Sequence, residues 1–63
     1  MNKSWKFTDS EGVLCEAEYV ELYDLFIVWD LADAVDGIVY GAFEYDPEEV
    51  EDYLARGIWK RLS

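Results

Sequence analysis

LFIVWDLADAVDGIVY, residues 25 to 40, decides between two folds. Read as helix, it merges with the residues before it into one rod from residue 18 to 36. Leu31, Ala32 and Ala34 favour that reading, as does the absence of Gly and Pro between residues 13 and 36. Read as strand, it opens with the continuous apolar run Leu25, Phe26, Ile27, Val28 and Trp29, which suits a strand covered on both sides. It then bends at an acid-glycine pair and resumes with Ile38 and Val39. The acids decide between the two. Glu18, Glu21, Asp24, Asp30, Asp33 and Asp36 are spaced by multiples of three, and a step of three residues turns a helix by about 300°, so the row winds round the cylinder and marks no solvent face. The stretch therefore reads as strands 25 to 31 and 38 to 45, paired around a turn from Asp33 to Gly37.

The same device occurs upstream. Lys3, Trp5 and Phe7 alternate with Ser4, Lys6 and Thr8 in a short strand, TDSEG supplies a turn, and Gly12 suits a positive φ at a bulge. Residues 13 to 20 then alternate Val13, Cys15, Ala17 and Tyr19 against Leu14, Glu16, Glu18 and Val20. Downstream, YDPEEVEDYLARGIW carries a complete set of helix signals. Asp46 takes the cap, Pro47 the first position and Glu49 the capping-box position, while Gly57 suits the left-handed residue past the end. Val50, Tyr53 and Leu54 share one face, with Ile58 following, a narrow apolar stripe that needs a flat partner. The expected fold is α+β: a small four-stranded antiparallel meander of two hairpins, then one C-terminal helix packed on the sheet, with the tail IWKRL added at an edge.

A chain of 63 residues makes a single domain, and such a domain buries only about 60% of its unfolded surface. Three tryptophans, five tyrosines and three phenylalanines fill so small a core. The lone Cys15 has no partner for an internal disulfide, no leader-like or membrane-length apolar run is visible, and a reducing cytoplasmic setting is expected.

Charge is the most informative quantity. Fifteen acids against five bases give a net charge of -10 with no histidine. Every base lies near a terminus, Lys3 and Lys6 at one and Arg56, Lys60 and Arg61 at the other, so residues 7 to 55 hold all the acids and no base. Such a field repels nucleic acid and anionic membrane and attracts basic partners.

Chemistry is scarce by comparison. The aspartates after Trp29 come three apart, whereas a calcium loop needs oxygen ligands at alternate positions around a sharp glycine turn. With one cysteine and no histidine, zinc has no ligand set. No metal, cofactor or enzymatic activity is expected. Cys15, among acids, reads as a small core residue, and the four glycines form no phosphate loop.

Binding remains. The first expectation is a non-enzymatic inhibitor of phage or mobile-element kind that mimics nucleic-acid charge and blocks the basic groove of a restriction, CRISPR or repair enzyme. Its candidate contacts are Glu16, Glu18, Glu21, Asp24, Asp30, Asp33, Asp36, Glu44, Glu48, Glu49, Glu51 and Asp52. The alternative is a small structural or adaptor module that docks a partner, or its own copy as a homodimer, through an aromatic sheet face. Trp29, Tyr40, Phe43 and Trp59 would then carry the binding energy.

Overall fold

The computed structural model describes residues 3–35, 38, 39 and 41–62. In chain order the elements are β1 (Lys3–Thr8), β2 (Leu14–Val20), β3 (Leu25–Asp30), a 3-10 turn (Leu31–Asp33), β4 (Ala34–Val35), β5 (Ile38–Val39), β6 (Phe43–Tyr45), α1 (Pro47–Ala55) and β7 (Lys60–Arg61). The fold is α+β, a five-stranded antiparallel sheet in the order β6-β3-β2-β1-β7 with one helix; β4 and β5 pair separately. Among the described residues, 18 to 35 do not form one helical rod.

The turns follow local chemistry. Between β1 and β2, Asp9 Oδ1 accepts from the backbone N–H groups of Glu11 and Val13, each at 2.9 Å, and Gly12 takes φ +80. A carboxylate that replaces the missing backbone partners is the reason Asp favours this position. The β2–β3 loop is the four residues Glu21–Asp24, closed by the Val20–Leu25 pair, and Asp24 sits at φ 50. Asp is among the few non-glycine residues that tolerate this left-handed region.

The second hairpin differs from expectation. β3 does pair antiparallel with the chain after residue 38, but only with Phe43–Tyr45, through Val28↔Phe43, Ile27↔Glu44 and Phe26↔Tyr45. Extended two residues further, that register would set Asp30 opposite Gly41, whose φ of +72 lies outside the strand region. The ladder stops there. Leu31 leaves the sheet in the 3-10 turn instead of continuing β3, and the two-residue strands restart in a shifted register, Ala34↔Val39 and Val35↔Ile38. In the region read as a turn from Asp33 to Gly37, Asp33 ends the 3-10 turn and Ala34–Val35 pair with Ile38–Val39, while Asp36 and Gly37 lie outside the described residues. Lys60 and Arg61 add the fifth strand on the far side of β1, opposite Thr8 and Phe7, with Leu62 N–H donating to the Lys6 carbonyl at 2.8 Å.

The helix begins and ends where its signals lie. Pro47 opens it, and Arg56 closes it before Gly57 at φ +74. Ile58 N–H donates to the Tyr53 carbonyl and Gly57 N–H to the Leu54 carbonyl, the paired bonds of a Schellman end. One expectation fails: Asp46 occupies the cap position but makes no side-chain capping bond. Its charge still complements the helix dipole, as do Glu48 and Glu49 in the first turn.

Strand alternation divides the sheet into two faces. Trp5, Phe7, Cys15, Ala17 and Val28 turn toward the helix and form the core with Val50 and Trp59. Phe7 is fully buried and its ring stacks on Trp59 with centroids 4.3 Å apart. Trp5 reaches Phe26, with centroids at 6.0 Å, although β2 runs between their strands. Strands two apart are separated by about 9.6 Å, so the indole must lean across β2. Fully buried Ala17, directly opposite Trp5, leaves room for it.

Candidate functional site

The acids expected at the site divide among four places. Glu16 and Glu18 on β2 and Glu44 on β6 share the face turned away from the helix, in the rows Glu16↔Trp29 and Glu18↔Ile27↔Glu44. Lys6 stands opposite Glu16 in that face. Asp30, by contrast, stands opposite Cys15, and its Oδ1 lies 3.2 Å from the Cys15 thiol. Asp33 belongs to the 3-10 turn, and Asp36 lies outside the described residues. Glu21, Asp24, Glu48, Glu49, Glu51 and Asp52 lie in the β2–β3 loop and the helix, and Asp52 is paired at 3.3 Å with Arg56 one turn on. An exposed pair of that kind contributes little to stability, but it does neutralise one helix carboxylate.

The aromatics named beside them do not form one surface. Trp29 lies half-buried on the open face, opposite Glu16, and that face also carries Leu14, Val20, Leu25 and Ile27. Phe43, opposite Val28, belongs to the helix side of the sheet and is 64% exposed at its edge. Trp59 is a core residue, packed between Phe7, Tyr45 and Tyr53 and so removed from any binding surface. Tyr40 lies outside the described residues. Only the β3–β6 register puts Trp29 and Phe43 on opposite faces, and nothing local distinguishes a buried Trp59 from an exposed one.

A concave region lies where the β2–β3 loop meets the start of the helix. A hollow of about 600 Å³ is lined there by Ser4, Trp5, Tyr19, Asp24, Phe26, Pro47, Glu51 and Arg61. A second depression shares Asp24 and Pro47 with it and adds Asp46 and Glu48. Thus carboxylates from two distant segments, Asp24 on one side and Asp46, Glu48 and Glu51 on the other, converge on one end of the fold. Beside them the loop tip exposes Leu22 at 82% and Tyr23 at 70%. The Tyr19 hydroxyl donates to Asp24 Oδ1 at 2.6 Å, which orients the carboxylate at the rim. That bond, with smaller contributions from burial and from the charges of Asp24 and Glu21, raises the Tyr19 pKa and keeps the phenol protonated as a donor. Trp5, Tyr19, Phe26 and Arg61 carry no sequence mark of a site; only the topology brings them to these acids.

At the opposite end of the sheet Asp9, Cys15 and Asp30 bring potential metal-ligand atoms within 4.8 Å of one another. Asp9 already serves two backbone donors. Burial, then the hydrogen bond and charge of Asp30, then the charge of Asp9, push the Cys15 thiol up to about 12. A soft ion here must displace a tightly held proton, which disfavours the site. The same environment makes a kinetic prediction. At pH 8 the native thiol should react with a disulfide reagent about a thousandfold more slowly than in denaturant, following the thiolate fraction. Labelling within tenfold of the denatured rate would show that Cys15 is accessible and ionised more easily than its surroundings imply.

Comparison with protein-family models, curated proteins and solved structures finds no match to this chain. Among the described residues, no helix is long and apolar enough to cross a membrane.

Proposed function

We propose that the protein is a non-enzymatic acidic binding module whose carboxylates stand in for phosphate charge, and that it inhibits a nucleic-acid-binding protein by occupying its basic groove. Phage and mobile-element inhibitors of restriction, CRISPR or repair enzymes are the class of protein this reading places it in. One observation carries it: Asp24, Asp46, Glu48 and Glu51 gather around a concave end that also presents exposed Leu22 and Tyr23. Acids that steer association, set beside apolar anchors that hold the contact, make the combination expected of an electrostatically guided interface. Four of the five bases lie on two adjacent strands. Lys3 and Lys6 lie on β1 and Lys60 and Arg61 on neighbouring β7, whereas β2, β3 and β6 carry Glu16, Glu18, Asp30 and Glu44 without a base.

Capture from nuclease-treated bacterial lysate, with elution in a rising salt gradient, tests the proposal. The expected outcome is a basic nucleic-acid enzyme that is released by salt and displaced by added DNA, because both compete for the same cations. A partner that resists salt and ignores DNA would overturn it.

A second reading has its own observation. The sheet face opposite the helix presents Leu14, Val20, Leu25, Ile27 and Trp29 in adjacent rows, and Leu14 is 42% exposed. Apolar surface of this kind marks a docking site for a partner or a second copy. Under this reading Trp29→Ala abolishes association measured by sedimentation, while acid reversals leave it intact.

A further inference from the structure

We propose that the hollow between the sheet and the start of the helix is a receptor for a single arginine side chain of the protein partner. The inference rests on the reading that the partner is basic, and it names the group recognised. Three aromatic rings form a connected wall: Tyr19 and Phe26 with centroids 5.2 Å apart, Phe26 and Trp5 at 6.0 Å. Ring faces are electronegative and attract an organic cation. Asp24 and Glu51 stand at the rim, and both are solvent-exposed, so they keep charge available for a ligand entering from outside. The Tyr19 hydroxyl holds Asp24 in place, and the left-handed backbone at φ 50 places that residue at the end of the loop.

The molecule already contains an example of the contact. The Arg61 guanidinium carbon lies 4.9 Å from the centroid of the Trp5 ring, inside the same hollow. A planar, weakly hydrated guanidinium stacks on an aromatic face and also forks toward carboxylates, whereas the compact ammonium of lysine is strongly hydrated and lacks the plane. The hollow thus selects arginine over lysine, and Arg61 sets the threshold an incoming arginine has to meet. Phe26 and Tyr19 complete the wall, and Asp24 and Glu51 line the same hollow.

Titration of the full chain with Nα-acetyl-arginine amide, followed by proton-nitrogen correlation spectra, tests this directly. Saturable shifts are expected at the Trp5 indole N–H, assigned by Trp5→Phe, and at the backbone amides of Asp24 and Glu51, with a dissociation constant in the millimolar range. Arg61→Gln should tighten binding about fivefold by removing the resident cation, and Glu51→Gln should weaken it about fivefold. Nα-acetyl-lysine amide should bind more weakly, and the neutral citrulline analogue should give no saturable shift. Equal response to arginine and lysine, shifts at Glu16, Glu18 and Glu44 as large as those at the hollow, or no change in Glu51→Gln would overturn the receptor. Its failure is separable from that of the charge-mimic proposal. Capture of a salt-released, DNA-displaced enzyme without arginine binding defeats the receptor alone, and saturable arginine binding without such capture defeats the mimic alone.

Discussion

Phe7→Ala is expected to leave the chain without a folded state at room temperature. Phe7 is fully exposed to the core and not at all to solvent, it stacks on Trp59 at 4.3 Å, and it contacts Trp5 with centroids at 5.4 Å. Removing such a ring costs about 3–5 kcal/mol in transfer and cavity terms. A domain of this length has roughly 3–9 kcal/mol in total, taking about 0.05–0.15 kcal/mol per residue. The loss is therefore comparable with the whole stability. Phe43→Ala removes the same side chain from an edge strand where it is 64% exposed, and should cost under about 1 kcal/mol. Urea unfolding followed by tryptophan fluorescence compares the two. Near-equal midpoints would show that the ring stack over β1 is not the centre of the core.

The second large effect separates the acidic end from the open face. Asp24→Asn, Glu48→Lys and Glu51→Lys together should weaken binding of the captured basic partner at least about a hundredfold, since close charge pairs at steered interfaces each couple by about 1.5 kcal/mol or more. Glu16→Gln, Glu18→Lys and Glu44→Lys change the net charge by the same amount on the opposite face and should cost less than about tenfold. Matching the charge removes the general field from the comparison. Asn is chosen at position 24 because it accepts the left-handed φ and can still accept the Tyr19 hydroxyl proton. Calorimetry on both triples gives the answer. The reverse ranking would transfer the interface to the sheet face around Trp29.

Much of this fold is legible locally. The Asp9–Gly12 turn, the alternation through Trp5, Phe7, Cys15 and Ala17, and the Pro47–Gly57 helix frame each depend on residues within a few positions, and each is where pattern and turn chemistry put it. The break after Asp30 is different. Leu31, Ala32 and Ala34 suit several conformations, and the residue that ends the ladder, Gly41, lies eleven positions away from Asp30. The site is still less local. Asp24 and Glu51 come together because the β2–β3 loop and the helix start occupy the same end of the sheet, and Trp5 and Arg61 join them because β7 pairs with β1. No spacing in the chain encodes that meeting. The acids alone mark both faces of the sheet, while the topology brings Asp24, Asp46, Glu48 and Glu51 to one end of the fold.

The placement of the bases on β1 and β7 has a consequence in solution. With four of its five cations on these two strands and its anions elsewhere, the molecule carries a permanent dipole moment, so a charged body nearby exerts a torque on it before any surfaces touch. A basic protein would turn this one while both are still diffusing, so that its acid-rich elements lead. Fewer collisions would then be wasted on the wrong face, and that gain would fade as added ions shorten the reach of the field to about 8 Å at physiological strength.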